Sequence, residues 1–374
     1  MSLTRRIGRP LAVFAASALA VMIACGGTAL AEEPSGGTAP TAGEHLTATL
    51  GDATPTARFA EPNAIACPSG YSQNRTESCF SGTAPYTVTD RDTGTEIGGA
   101  GVDETSRVTL NPRNRGKWTQ TVTIELVAPW GAALETTGST EIVCSSCKST
   151  GGGAQQMLPD TPRTFSFTLS SPGTGVVKDV QVPMLTLQPD FPNTTPGVGR
   201  VGPYTHPRCD STPRVGPKTG GCVYPEFTPT YNVSTTNQDT ADVAWHIRWA
   251  QMNLTHHWGW QGHGPELTRT TSPSIIDANR DTACPSSIPR PEGKSCDEYP
   301  FASTYQGASR NPDFSCHLVN AVQNRLEGSR YRKPWYAANR LLDGDKFWVN
   351  VVLPAGITQQ QIDQQERPYS QCPG

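Results

Sequence analysis

From about residue 67 to residue 231 the chain runs in short stretches of alternating apolar and polar residues, broken by turns rich in Gly, Pro and Asn. Trp118-Thr-Gln-Thr-Val-Thr-Ile-Glu-Leu-Val has the two-residue period of a half-buried strand, and residues 86–88, 164–169 and 176–187 read the same way. No helical period interrupts them, so a β-rich, sandwich-like region is expected. Near Thr240 the period lengthens. Val243, Ile247, Ala250 and Met252 fall at helical spacing behind Asp239 or Thr240 as a cap, with His246 on the same helix. A lone helix histidine is more often structural than functional. Residues 267–269 and 275–277 read as short strands or strand ends leading to Arg280. Residues 315–327 admit two readings: one helix with Leu318, Val319, Val322 and Leu326 on its apolar face, or a short strand at 316–319 followed by a helix bearing Asn324. Pro334 opens a helix to Leu342, Asp343-Gly344 turns, and an alternating strand at 347–353 closes the region. The fold class is therefore α+β.

The N-terminus changes the picture of where this protein works. Arg5, Arg6 and Arg9 precede an apolar run from Leu11 to Cys25, and Ala29-Leu30-Ala31 supplies a small-x-small cleavage site, so residues 1–31 read as a signal peptide. No later stretch has membrane-spanning length, which points to an exported, extracellular protein. Arg5-Arg6 faintly resembles a twin-arginine signal, and a lipoprotein-like site at Cys25 is the competing route. Residues 32–62, rich in Pro, Gly, Thr and Ala, read as a disordered linker. The remainder divides into a β-rich domain of unassigned role at 63–235 and a second domain at 236–374. Cleavage removes three arginines from a chain of net charge −3, leaving −6. Binding to a polyanion would therefore need a local basic patch.

Cleavage also removes Cys25, leaving ten cysteines, an even number that in an exported chain reads as disulfides. Their spacing pairs Cys67 with Cys79, Cys144 with Cys147, Cys209 with Cys222, Cys284 with Cys296, and Cys316 with Cys372. Zinc at Cys144-Ser-Ser-Cys147 is the alternative there, without a second ligand pair to complete it. His256, His257 and His263 have the chemistry to hold a metal but match no standard spacing. Gly293-Lys294-Ser295 imitates the end of a phosphate-binding loop, and fails because Ile288 stands where that motif needs Gly.

The stretch most charged with chemistry is Ser295-Cys-Asp-Glu-Tyr-Pro-Phe-Ala-Ser-Thr-Tyr305. Pro300 restricts the backbone around two adjacent acids, and Tyr299 and Phe301 offer rings for burial on either side of it. Neighbouring strand residues point to opposite faces, so only one of Asp297 and Glu298 should face a given site. Downstream, residues 325–340 carry Arg325, Arg330, Arg332, Lys333 and Arg340 against Glu327 alone, with Tyr331, Trp335 and Tyr336 interleaved. On an acidic protein this is the surface suited to polyphosphate. Asn324 and Glu327, three apart, converge on a helix; a solvated polar face is the competing reading. No Gly-x-Ser-x-Gly elbow or His-Glu-x-x-His helix points to hydrolysis of another bond.

Residues 295–305, with Asn339-Arg-Leu-Leu-Asp-Gly-Asp345, the closing Phe347-Trp-Val strand, and His246-Ile247, Gly262-His263 and the Leu-Thr-Arg run upstream, resemble the NucA/NucB family of secreted deoxyribonucleases over roughly residues 240–352. The resemblance implies a small ββα-metal nuclease domain, disulfide-stapled and monomeric, that cuts DNA without sequence specificity. It favours the strand-then-helix reading of 316–327. Its implied catalytic residues are Asp297, Glu298, Asn339 and Arg340, with Asp297, Asn324 and Glu327 as ligands to Mg²⁺ or Mn²⁺, Ca²⁺ being a third candidate. Arg280 and Arg332, together with Arg340, are candidates for phosphate contacts. Where the family carries an acid before the helix asparagine, this chain has Gln323. That departure keeps open a non-catalytic extracellular binding protein with a degenerate nuclease domain.

Overall fold

The alternation at 118–127 is realised in the Trp118–Gly131 strand, where Trp118, Gln120, Val122, Ile124 and Leu126 are buried and the residues between them face outward. This strand pairs antiparallel with Glu96–Thr109 on one side and Arg163–Ser170 on the other, within an eight-stranded sheet that also holds Glu77–Asp90, Leu46–Leu50, Lys148–Gly151 and the short strands Thr54–Pro55 and Gly70–Gln73. A second antiparallel sheet runs Gly197–Arg200, Gln181–Pro189, Thr136–Cys144, Gly153–Met157. Residues of both sheets, among them Tyr86, Ile124, Phe165, Leu185, Leu187 and Met157, close one hydrophobic core. Two sheets sharing one core is the layered arrangement that the alternating pattern requires.

The computed structural model describes residues 45–55, 67, 70–213, 215–216 and 218–365, all within one unit, Gly37–Gly374. The expected signal peptide at 1–31 lies outside the described residues. Part of the expected linker is ordered: Leu46–Leu50 pairs with Glu77–Asp90, burying Leu46 and Ala48. Leu46 and Ala48 are two apart and reach one face, a signal too short to register against the Pro and Gly around it. The expected boundary at 235 also shifts. Thr230–Ser234 pairs in parallel with Lys346–Val352, so this strand belongs to the C-terminal sheet.

In the C-terminal region, helix α1 (Ala241–Asn253) packs Val243, Ile247 and Ala250 into a core with Tyr231, Tyr299, Phe301, Val319, Phe347 and Val349. Leu267–Thr268 is a strand, as expected, but 275–277 lies inside helix α2 (Pro273–Ala283), with Pro273 in its first turn. The strand-then-helix reading holds for the next segment. Lys294–Tyr299 and Ser315–Asn320 pair antiparallel, and Asn320 caps helix α3 (Ala321–Leu326), accepting the N–H groups of Val322 and Gln323. The chain continues without a break through a π-helical segment, Glu327–Arg332, into helix α4 (Lys333–Ala338). The disulfides Cys67–Cys79, Cys144–Cys147, Cys209–Cys222 and Cys284–Cys296 form as their spacing predicts. Cys316 is also disulfide-bonded, and its expected partner Cys372 lies outside the described residues.

Candidate active site

The Lys294–Tyr299 strand sorts its two acids to opposite faces. Asp297 points into the core, 5 % exposed, and accepts a hydrogen bond from Nδ1 of buried His246 at 2.8 Å. A carboxylate can only accept, so Nδ1 carries the proton; in the neutral ring Nε2 then accepts the Ser315 hydroxyl at 2.9 Å. His246 reaches this position because it lies three residues after Val243 and four before Ala250, on the buried stripe of α1. A lone helix histidine is expected to be structural, and His246 is buried as that expectation requires. The helical period could have put it on the core face, but its partner Asp297 is 51 residues away. Tyr299, on the same face as Asp297, donates its hydroxyl to the Trp258 carbonyl at 2.6 Å, while Phe301 is 1 % exposed. The aromatic lock expected around Pro300 is thus formed by two buried rings.

Glu298 faces the other way. The Cys284–Cys296 disulfide packs beside it, with Cys284 Sγ 3.6 Å from Oε2. Burial, and then the neighbouring Asp297 charge, push its carboxyl up to about 7, while Arg332, Arg280 and the Ala302 N–H pull the other way. The loop carrying Ala302 is fixed by Asn279 of α2, whose Nδ2 donates to the carbonyls of Ala302 at 2.8 Å and Thr304 at 3.0 Å.

Arg332 and Arg280 also line a cleft of about 630 Å³, together with Arg269 and Lys333. Ser303 is its hub: its Oγ accepts from Arg332 Nη1 at 3.2 Å and its carbonyl from Arg269 Nη1 at 3.1 Å. Arg269 lies over the Tyr336 ring and Arg332 over Phe301, so aromatic faces hold both guanidinium planes. No acid lines the cleft among the described residues. Of the expected phosphate contacts Arg280 and Arg332 are here; Arg269 and Lys333 were not singled out for the site. Lys333 belongs to the expected basic surface at 325–340, and Arg269 to the Leu-Thr-Arg run of the resemblance.

Three expected site residues do other work. Arg340 is fully buried, with its guanidinium on the Asp210 carboxylate and its Nη1 on the Pro112 carbonyl at 3.2 Å. It cannot touch a phosphate. Asn339 ends α4, its Nδ2 donating to the Trp335 carbonyl at 3.0 Å, while its own carbonyl accepts from Arg75 at 2.8 Å. Glu327, also fully buried, accepts from Arg332 Nε at 2.9 Å and from the Tyr231 hydroxyl at 3.0 Å. In an α-helix residues i and i+5 are offset by about 140°, but i→i+5 bonding in a π-helix stacks them. The π-helical segment therefore brings Arg332 onto Glu327 and takes that carboxylate out of the expected ligand set.

Asn324 stays near the acidic strand. Its Nδ2 donates to Ser295 Oγ and to the Cys296 carbonyl, both at 3.0 Å, leaving Oδ1 as its acceptor. Gln323 caps α1, its Oε1 accepting the Asp242 N–H at 2.6 Å. Of the expected set, Glu327 is paired with Arg332, Asp297 holds His246 through Oδ2, and Asn324 keeps Oδ1 as an acceptor. Elsewhere, Cys144, Cys147 and Asp179 cluster closely enough for a metal, but the two sulfurs are joined to each other.

No curated protein matches the chain. The family model for Deoxyribonuclease NucA/NucB matches residues 261–350, the segment that holds both acids and all four cations of the cleft.

Proposed function

We propose that this protein is a secreted, sequence-nonspecific endonuclease that hydrolyses DNA phosphodiester bonds in the Arg269–Arg280–Arg332–Lys333 cleft, with Glu298 as general base. The observation that carries the reading is the opposite facing of the two acids within the deoxyribonuclease-matched segment: one is bound to a histidine in the core, and the carboxyl of the other feels the charges of Arg332 and Arg280, two of the cations that line the cleft. A carboxylate that titrates near 7 takes a proton from water more readily than an ordinary glutamate. Arg332 is paired with Glu327, and Arg269, held on the Tyr336 face, is the guanidinium arranged to receive the charge that builds on the phosphorane. Sequence nonspecificity follows from contacts made to phosphate and not to base edges. Disulfide pairing supports export.

A divalent cation, Mg²⁺ or Mn²⁺, belongs to this proposal through the sequence resemblance alone. The strand–strand–helix order of 294–326 supports the ββα reading. Plasmid nicking by the full chain, in Mg²⁺ or Mn²⁺ and again in chelator, tests both parts. Cleavage that Glu298→Gln lowers by about a hundredfold or more supports the enzyme reading. No cleavage in either metal refutes it and leaves a non-catalytic extracellular binding protein. Undiminished cleavage in chelator refutes the metal requirement alone.

A further inference from the structure

The Cys144–Cys147 disulfide stands apart from the other bridges that the structure pairs. Those close 12 or 13 positions of chain, this one 3. A bridge restrains the unfolded chain more when its loop is longer, so this pair has the least to contribute to stability. It lies where the Thr136–Cys144 strand ends, in a turn whose Ser145 and Ser146 are exposed. Both cysteines are half-buried, so a reaction partner can reach them. Val143 and Val180 beside the turn are exposed apolar side chains, which suit contact with an unfolded polypeptide.

Asp179, 2 % exposed, clasps this turn from the start of the Gln181–Pro189 strand. Its Oδ1 is filled. It accepts the Ser145 hydroxyl at 2.6 Å, the Ser146 N–H at 3.1 Å and the Val180 N–H at 2.9 Å. Its Oδ2 is buried and has no hydrogen-bond partner among the described residues. A carboxylate oxygen of Asp179 lies within 4.8 Å of both sulfurs. A buried acceptor left open is costly, and here the chemistry of the bridge accounts for it. In the disulfide neither sulfur carries a hydrogen to donate, whereas in the dithiol each does. Reduction would supply the donor that Oδ2 lacks. The charged residues next to the motif in the chain are Lys148 and Lys178, both exposed cations of the sign that favours a thiolate.

We propose that Cys144-Ser-Ser-Cys147 with Asp179 is a thiol–disulfide exchange site that oxidises dithiols of cysteine-bearing polypeptides, an activity separate from DNA cleavage. A substrate thiolate attacks one sulfur of the bridge, forms an intermolecular disulfide and displaces the other cysteine. The substrate's second thiolate then attacks its own first sulfur, leaves as a substrate disulfide and releases the remaining cysteine. At each step Asp179 Oδ2 takes the proton of the attacking thiol and passes it to the cysteine set free. Two electrons and two protons thus move from substrate to protein, which ends as the Cys144/Cys147 dithiol.

The test mixes the full chain with a reduced synthetic peptide bearing two cysteines, under argon at about pH 7, below the ordinary thiol pKa. Mass spectrometry follows formation of the peptide disulfide, and alkylation with peptide mapping locates the new protein thiols. The expected result is peptide oxidation matched by thiols at Cys144 and Cys147, and its loss in Cys144→Ser/Cys147→Ser with folding verified by thermal melts. Asp179→Asn keeps Oδ1 as an acceptor, so it should slow the exchange at least about tenfold near pH 7, with the gap closing near pH 9 as the substrate thiols ionise unaided. No peptide oxidation overturns the proposal, as do new thiols at other cysteines or undiminished oxidation by the double serine variant. An Asp179→Asn rate equal to that of the unaltered protein at both pH values overturns the part given to Asp179.

Discussion

Arg340 separates the sequence-level assignment from the structure, because one expects a phosphate contact and the other a buried strut. In Arg340→Ala the Asp210 carboxylate stays where it is, fully buried, and loses the guanidinium that bonds it twice. Burial works to raise the Asp210 carboxyl, but the hydrogen bonds and charge of Arg340 outweigh it and hold it below its ordinary value. Removing one member of a buried pair costs about 3–5 kcal/mol, since the remaining charge is left unpaired. Against an unfolding entropy of ~0.7 kcal/mol/K for a unit of this length, that is a fall in Tm of about 4–7 °C. The double change Asp210→Ala/Arg340→Ala removes the stranded charge and should regain part of the loss. A group with a depressed folded pKa stabilises above its unfolded pKa and loses that contribution as pH falls through the folded one. The gap between wild type and Arg340→Ala should therefore narrow in acid. Circular-dichroism melts across pH, with DNA cleavage assayed well below each variant's Tm, provide the measurement. An unchanged Tm together with a hundredfold loss of cleavage would refute the strut and restore Arg340 to the chemistry.

Four further outcomes are expected. Glu298 must be ionised to act as a base, so the cleavage rate should rise as pH increases through about 7 and level off above it; a flat profile from pH 5 to 9 counts against this residue as base. Its raised folded pKa also means that stability conferred below the unfolded value is lost as pH rises through about 7, and Glu298→Gln should abolish that decline in melts. Gln323→Ala removes the acceptor of the Asp242 N–H and should cost about 1 kcal/mol in denaturant titrations, while Gln323→Glu keeps the acceptor and should stay within ~0.5 kcal/mol. Burial, with the neighbouring His246, lowers His317 to about 4, so it stabilises as the neutral ring above its unfolded value and that contribution is lost as pH falls from ~6.5 through the folded pKa. His317→Gln should flatten this acid limb; a wild-type limb with no inflection there contradicts the assignment.

What could be read from the sequence follows the range of the interaction concerned. The Trp118–Gly131 strand, the α1 stripe, four described disulfides and the Tyr299–Phe301 lock were legible because each is written in residues at most about a dozen positions apart. The opposite facing of Asp297 and Glu298 was legible as well, from strand geometry alone. The partners of those acids were not. His246 joins Asp297 across 51 positions, and Asp210 joins Arg340 across 130. No local pattern records such pairs. Glu327 was misread for another reason: a π-helical segment changes which residues stack, and its composition is that of any polar helix. The family resemblance was sound over the matched segment. It pointed to Asn339-Arg340 as chemistry, where the structure shows that Arg340 and Asp345 are engaged by the β-rich region.

That engagement bears on whether the nuclease segment is portable. Arg75 and Arg208 both bind the Asp345 carboxylate, and Arg340 reaches back to Asp210, so a salt-bridged seam joins residues 340–345 to the β-rich region. A fragment excised at residue 236 would carry Arg340 and Asp345 away from every one of these counter-charges and leave them on a raw surface. Grafting the segment onto another scaffold would need a surrogate for Asp210 and for the two arginines. In this protein the unit of inheritance is the seam with both of its sides.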